Sequence, residues 1–156
     1  MKLTSNLTLA ECCRSQTAKR LGINNTPDDD NVIENLKAVA ENIFQPCREH
    51  VGGPLYVSSG YRSPELNTAI GGSKSSQHIS GMALDLDADV FGGCTNADIF
   101  NYIKENLAFD QLIWEFGSDE NPDWVHVSFH RWGDNRKRAM RAVRTESGTE
   151  YQVITS

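Results

Sequence analysis

Residues 82–88 read Met-Ala-Leu-Asp-Leu-Asp-Ala, and this alternation constrains the fold more than any other stretch. As an extended strand it puts Met82, Leu84, Leu86 and Ala88 on one face. Gly81, Ala83, Asp85 and Asp87 fall on the other. The apolar face anchors to a core, which fixes Asp85 on the opposite, cleft-facing side. His78 ends the serine-rich stretch just before it, and Gly81 lets the chain turn between the two.

The rest of the chain supplies partners for such a strand. Thr8 and Glu11 form a capping box that opens a helix running to about Leu21 and stopping at Gly22. Thr26-Pro27 opens a second helix, with Pro27 at its first position and Asp28, Asp29 and Asp30 near its positive end. Val32, Leu36, Val39 and Ile43 form its core stripe, and Pro46 is expected to kink or end it. Short strands are expected over 55–59, 111–116 and 124–129, and a closing hairpin over 140–145 and 151–154 around Ser147-Gly148. Ser63-Pro64 and Thr95 cap two further helices, the first ended by Gly71-Gly72 and the second running to about Asn106. The pattern is that of one α+β domain over residues 1–156, with helices first and then a mainly antiparallel sheet.

Composition removes several function classes. The net charge of −6 argues against a nucleic-acid binder, which needs a basic face. No apolar run is long enough to span a membrane, and the N-terminus lacks the continuous apolar core of a signal peptide. The cysteines, Cys12, Cys13, Cys47 and Cys94, form no Cys-x-x-Cys pair and read as reduced, mostly buried thiols of a protein made in a reducing cytoplasm.

In Trp124-Val125-His126-Val127-Ser128-Phe129, the apolar residues face the core and His126 faces the other way. If this strand neighbours the Asp85 strand, His78, Asp85 and His126 offer two imidazoles and a carboxylate, with a fourth position left for water on a tetrahedral zinc. Taken singly, His78 fits a surface histidine, Asp85 a turn cap or a partner for Arg62, and Asp123 a turn residue after Asn121-Pro122. Asp123 and Glu115 are rival general bases, and Arg62 follows a strand where it could hold an oxyanion. Asp87 reads as a supporting or solvated carboxylate, and His50 and His130 stand outside the constellation.

The combination Ser58-Ser59-Gly60-Tyr61-Arg62-Ser63, Ser76-Gln77-His78-(six residues)-Asp85 and Asp123-Trp124-Val125-His126 resembles the zinc D-alanyl-D-alanine carboxypeptidases and related L-alanyl-D-glutamate endopeptidases, which include bacteriophage endolysins. The resemblance runs from about Leu7 to the C-terminal hairpin and implies a hedgehog/DD-peptidase-like fold. It implies zinc (Zn2+) on His78, Asp85 and His126, Asp123 as general base, Arg62 as the carbonyl-polarising residue, and Ser76 and Gln77 beside the substrate. The lysostaphin-type peptidases carry His-x-His in their last strand, whereas Ser128 stands at the second of those positions here. The implied substrate is the peptidoglycan stem peptide, cut by a monomer that reaches the wall after release or export. The competing expectation is a zinc-stabilised binding module without catalysis.

Overall fold

A six-stranded sheet, which follows a short N-terminal ribbon of two strands, β1 (Lys2–Thr4) and β2 (Leu7–Thr8), carries the molecule; its order in space is β3 (Tyr56–Ser59), β4 (Ala83–Asp87), β6 (Trp124–Ser128), β5 (Gln111–Glu115), β7 (Arg138–Thr145) and β8 (Gly148–Val153). The computed structural model describes residues 1–154. All neighbours run antiparallel except β5 and β7, which are parallel. This is a mixed helix-and-sheet architecture with the expected mainly antiparallel pairing.

Period-two alternation sets the two faces of the sheet. Leu84 and Leu86 stand opposite Val127 and Val125, Leu112 also pairs with Val127, and all five are fully buried. They share one core with Leu36, Val39, Ile43 and Phe44 of the long helical segment and with Ile99 and Ile103 of a later helix. A one-residue slip of β4 would drive Asp85 into that core, so burial of the leucines fixes the register.

The capping box forms as expected: Glu11 N–H donates to Thr8 Oγ1 at 3.2 Å, and Thr8 N–H donates to Glu11 Oε1 at 3.0 Å. It opens α1 (Leu9–Cys13), a separate helix from α2 (Gln16–Leu21), because Arg14 turns extended and Ser15 caps anew. Gly22 ends α2 in the left-handed region. A two-stranded ribbon, Lys2–Thr4 with Leu7–Thr8, precedes them; its strands are too short for alternation to reveal.

Two helix expectations need correction. Helix α3 (Asp30–Val39) starts at Asp30 with Asp29 as its cap, not at Pro27. The reason is Asn25. Its Nδ2 donates to the Cys13 carbonyl at 2.9 Å and the Tyr61 carbonyl at 3.0 Å, and its Oδ1 accepts the Ser63 N–H at 2.7 Å. Those bonds tie the chain to a distant loop before a helix can begin. Pro46, expected to kink or end the helix, does not end it; the helix changes type just before it. A π turn at Ala40–Phe44 leads directly into α4 (Gln45–Val51), where Pro46 sits in the first turn. Gln45 N–H reaches back to Ala40 O, and this wider turn accommodates a residue that has no N–H of its own.

Helices α5 (Pro64–Ala69) and α6 (Asn96–Asn106) are capped by Ser63 and Thr95 as expected. Strand β7 begins at Arg138, two residues before the expected start. Among the described residues no helix is long and apolar enough to cross a membrane.

Replacing Asn25 by alanine orphans two carbonyls and one amide. The expected loss is about 2–3 kcal/mol of stability, measured by urea unfolding.

Candidate metal centre

Register brings the first pair of polar residues together. Asp85 of β4 lies directly opposite His126 of β6. Asp85 Oδ1 is 3.0 Å from His126 Nδ1 and 3.3 Å from His78 Nε2. The His78 and His126 rings meet edge to face at 5.1 Å. One ligand atom from each of the three residues lies within 4.8 Å of the others.

His78 comes from the loop before β4, and its surroundings aim it. Gly81 makes the turn at φ +77°, close under Val32 of α3. The Ser76 hydroxyl accepts the His78 N–H at 3.2 Å, and Arg62 N–H donates to the His78 carbonyl at 3.1 Å. His78 Nδ1 lies 2.6 Å from the Gly60 carbonyl. A carbonyl only accepts, so Nδ1 donates to it, and Nε2 is the ring nitrogen turned towards Asp85. Gly60 can be there because it lacks a side chain: a Cβ would stand 2.4 Å from the Cys12 carbonyl of α1.

The charges are balanced locally. Burial pushes the Asp85 carboxyl up, but the two imidazoles overcome it and hold the group well below the usual carboxylate range. Arg62 adds a guanidinium nitrogen 3.6 Å from Asp85 Oδ2, and its Nε donates to Ser59 Oγ. The donor set of two imidazoles and one carboxylate, with the non-ligating His78 nitrogen already bonded to a carbonyl, fits a catalytic zinc site. The cysteines do not join it; all four are free thiols, with Cys12 pushed up to about 12 and Cys13 and Cys94 to about 11 by burial.

The three residues open onto a cleft of about 810 Å³ lined also by Arg62, Ser76, Gln77 and Glu115. Glu115 is 8% exposed. Burial pushes its carboxyl up to about 7, opposed by His126 and Arg62 and reinforced by Asp85. Asp123 lies elsewhere. It is exposed and lines a smaller pocket with Phe116, Gly117, Arg141 and Arg144. Trp124 and His126 take the cleft-facing parity of β6, so the residue before Trp124 falls on the other side. Asn96 Nδ2 also holds the Asp123 carbonyl, at 3.1 Å.

Gln77 lines the cleft, but its amide donates to Asp110 Oδ2 at 3.0 Å. Asp110 is 3% exposed and also receives Arg136 Nε at 2.8 Å and Nη2 at 2.9 Å. This clamp joins the His78 loop to the segment before β7. Ser128 is buried and accepts the Gln111 N–H. Asp87 accepts from Asn96 and Asp89 N–H, outside the cleft. His50 stacks on Tyr102, and His130 accepts the Gly133 N–H.

Arg136, Arg138, Met140 and Tyr151 also line the cleft, and sequence reasoning missed them. Arg138 and Met140 share strand parity, a signal visible only once the strand is known to begin at Arg138. Tyr151 stands half-exposed at the rim of the same cavity, and its phenol is pushed up by burial and then by the charges of Glu115 and Asp85.

A model of the family described as Peptidase M15 matches residues 5–128, which is most of the chain and includes every residue of the His-Asp-His group. No curated protein matches the sequence.

Gly60→Ala should cost about 1–3 kcal/mol in urea unfolding through the clash with Cys12. The same change should weaken zinc binding about tenfold to a hundredfold in a competition titration, because His78 loses its orienting carbonyl. A second expectation concerns acid. Bonds from Arg136, opposed by burial and aided by Gln77, lower the Asp110 carboxyl to about 2. Its contribution to stability is complete above the unfolded value of about 3.9 and is lost as pH falls towards about 2. Urea midpoints between pH 5 and pH 2 should fall more steeply for the native sequence than for Asp110→Asn.

Proposed function

The chain belongs to the M15 peptidases, the zinc D-Ala-D-Ala carboxypeptidase and endopeptidase family, and from that premise we propose that it hydrolyses a peptide bond in the peptidoglycan stem. The carrying observation is that His78, Asp85 and His126 converge at the floor of a cleft that also contains a buried, near-neutral acid, Glu115. A binding module has no need of that acid.

His78 Nε2, an Asp85 oxygen and His126 would hold zinc, and bound zinc supplies a Lewis acid that also lowers the pKa of water towards about 7. Glu115 takes the proton of the attacking water and returns it to the leaving amine nitrogen. Its raised carboxyl suits both duties near neutral pH. Arg62, at the cleft wall, donates to the oxygen that gains charge as the carbonyl is attacked. Asp85 holds Arg62 for this role through the contact at Oδ2.

Choosing Glu115 over Asp123 departs from the role implied by motif position alone. It is supported by Glu115's place in the cleft and by Asp123's exposure in a separate pocket.

Digestion of purified peptidoglycan by the zinc-loaded chain should release new peptide termini, identified by mass spectrometry as D-Ala-D-Ala or L-Ala–D-Glu cleavage. Glu115→Gln should lower kcat by about a hundredfold to ten-thousandfold. The same variant should retain zinc and melt no lower than the native protein. Asp123→Asn should stay within about threefold of native turnover. The opposite ranking returns the base to Asp123. Zinc bound with no new termini from several wall types favours the binding module.

A further inference from the structure

We propose that the end of the cleft at Arg138 binds a carboxylate of an acidic peptide, two or three residues from the bond being cut. The assignment rests on the peptidase reading for the identity of the substrate.

The sheet positions this residue relative to the metal group. His126 pairs with Ile113, and Ile113 pairs with Met140, so these residues form one row across the sheet. Arg138 lies one alternation below Met140, opposite Gln111, and its N–H donates to the Asp110 carbonyl at 3.0 Å. Two strand spacings of about 4.8 Å and two residues of about 3.4 Å put its backbone about 12 Å from that of His126. The side chain spans part of that interval, and an extended substrate rises about 3.4 Å per residue. A carboxylate two or three residues from the scissile carbonyl therefore meets the guanidinium.

Among the described residues no carboxylate pairs with Arg138. Arg136 also lines the cleft, but both its contacts with Asp110 are short and Asp110 is buried, so that pair is internally neutral. Arg138 makes no ion pair and no side-chain hydrogen bond among the described residues. It is exposed, on a chain whose net charge is −6. A planar guanidinium on a strand, without a side-chain partner among the described residues and facing a peptide-sized cavity, suits bidentate recognition of a carboxylate.

The test uses the zinc-loaded full chain carrying Glu115→Gln, so that peptides bind without turnover. The probes are a stem pentapeptide, L-Ala–γ-D-Glu–L-Lys–D-Ala–D-Ala, and two counterparts. In one the D-Glu α-carboxylate is a carboxamide, and in the other the C-terminal carboxylate is. By calorimetry, the D-Glu conversion, which neutralises the carboxylate two residues before the D-Ala–D-Ala bond, should weaken binding about tenfold to a hundredfold, and more than the C-terminal conversion does. Adding Arg138→Gln should erase that difference, and Arg138→Lys should restore part of it. A carboxylate preference that survives Arg138→Gln, or none at all, overturns the proposal. Hydrolysis of the same peptides by the chain with Glu115 intact separates the two readings. Cleavage of all three with equal kcat/KM overturns the carboxylate site and leaves the peptidase standing. Carboxylate-dependent binding through Arg138 with no cleavage supports the site and removes the peptidase.

Discussion

A carboxylate buried among imidazoles is the constraint on which this structure turns. Asp85 is 6% exposed, and an ionised group so placed is costly unless cations or strong donors surround it. His126 reaches it from the paired strand, His78 from the preceding loop and Arg62 from the loop after β3. Each of those residues is held in turn. His126 is fixed by strand register, His78 by the Gly60 carbonyl, and the Tyr61–Ser63 segment by Asn25. The polar cluster and its supports thus form one unit spread over distant stretches of chain.

The long-range supports explain the departures from simple rules. Asn25 binds backbone groups of Cys13, Tyr61 and Ser63, and it delays the start of α3 for the sake of the Arg62 loop. Gly60 packs against α1 so closely that Tyr61 N–H donates to the Cys12 carbonyl at 2.7 Å. Asp110 joins Gln77, beside the first imidazole, to Arg136, beside β7. Loops that look irregular in isolation are thereby fastened at both walls of the cleft.

Alternation made Asp85 and His126 legible, because fully buried leucines and valines on the other parity leave them one side to face. The same parity put Glu115 opposite Leu112 and Trp114, on the cleft face where it is found. Asp123's distance from His126 along the chain says nothing of the Asn121-Pro122 turn, after which its side chain lines the smaller pocket. Arg138 was hidden for a different reason. Its strand pairs in parallel with β5 after β6 has intervened, and that topology has no local sequence signal. Local patterns therefore gave the elements and the metal-ligand candidates, while the cleft's far end depended on strand order.

Zinc-edge anomalous diffraction from crystals of the zinc-loaded protein decides whether these three residues hold the metal. A strong peak is expected, bounded by His78 Nε2, an Asp85 carboxylate oxygen and a His126 ring nitrogen, each at about 2.0–2.2 Å. A peak at the cysteines or at His50, or none at the three residues at saturating zinc, would contradict that placement.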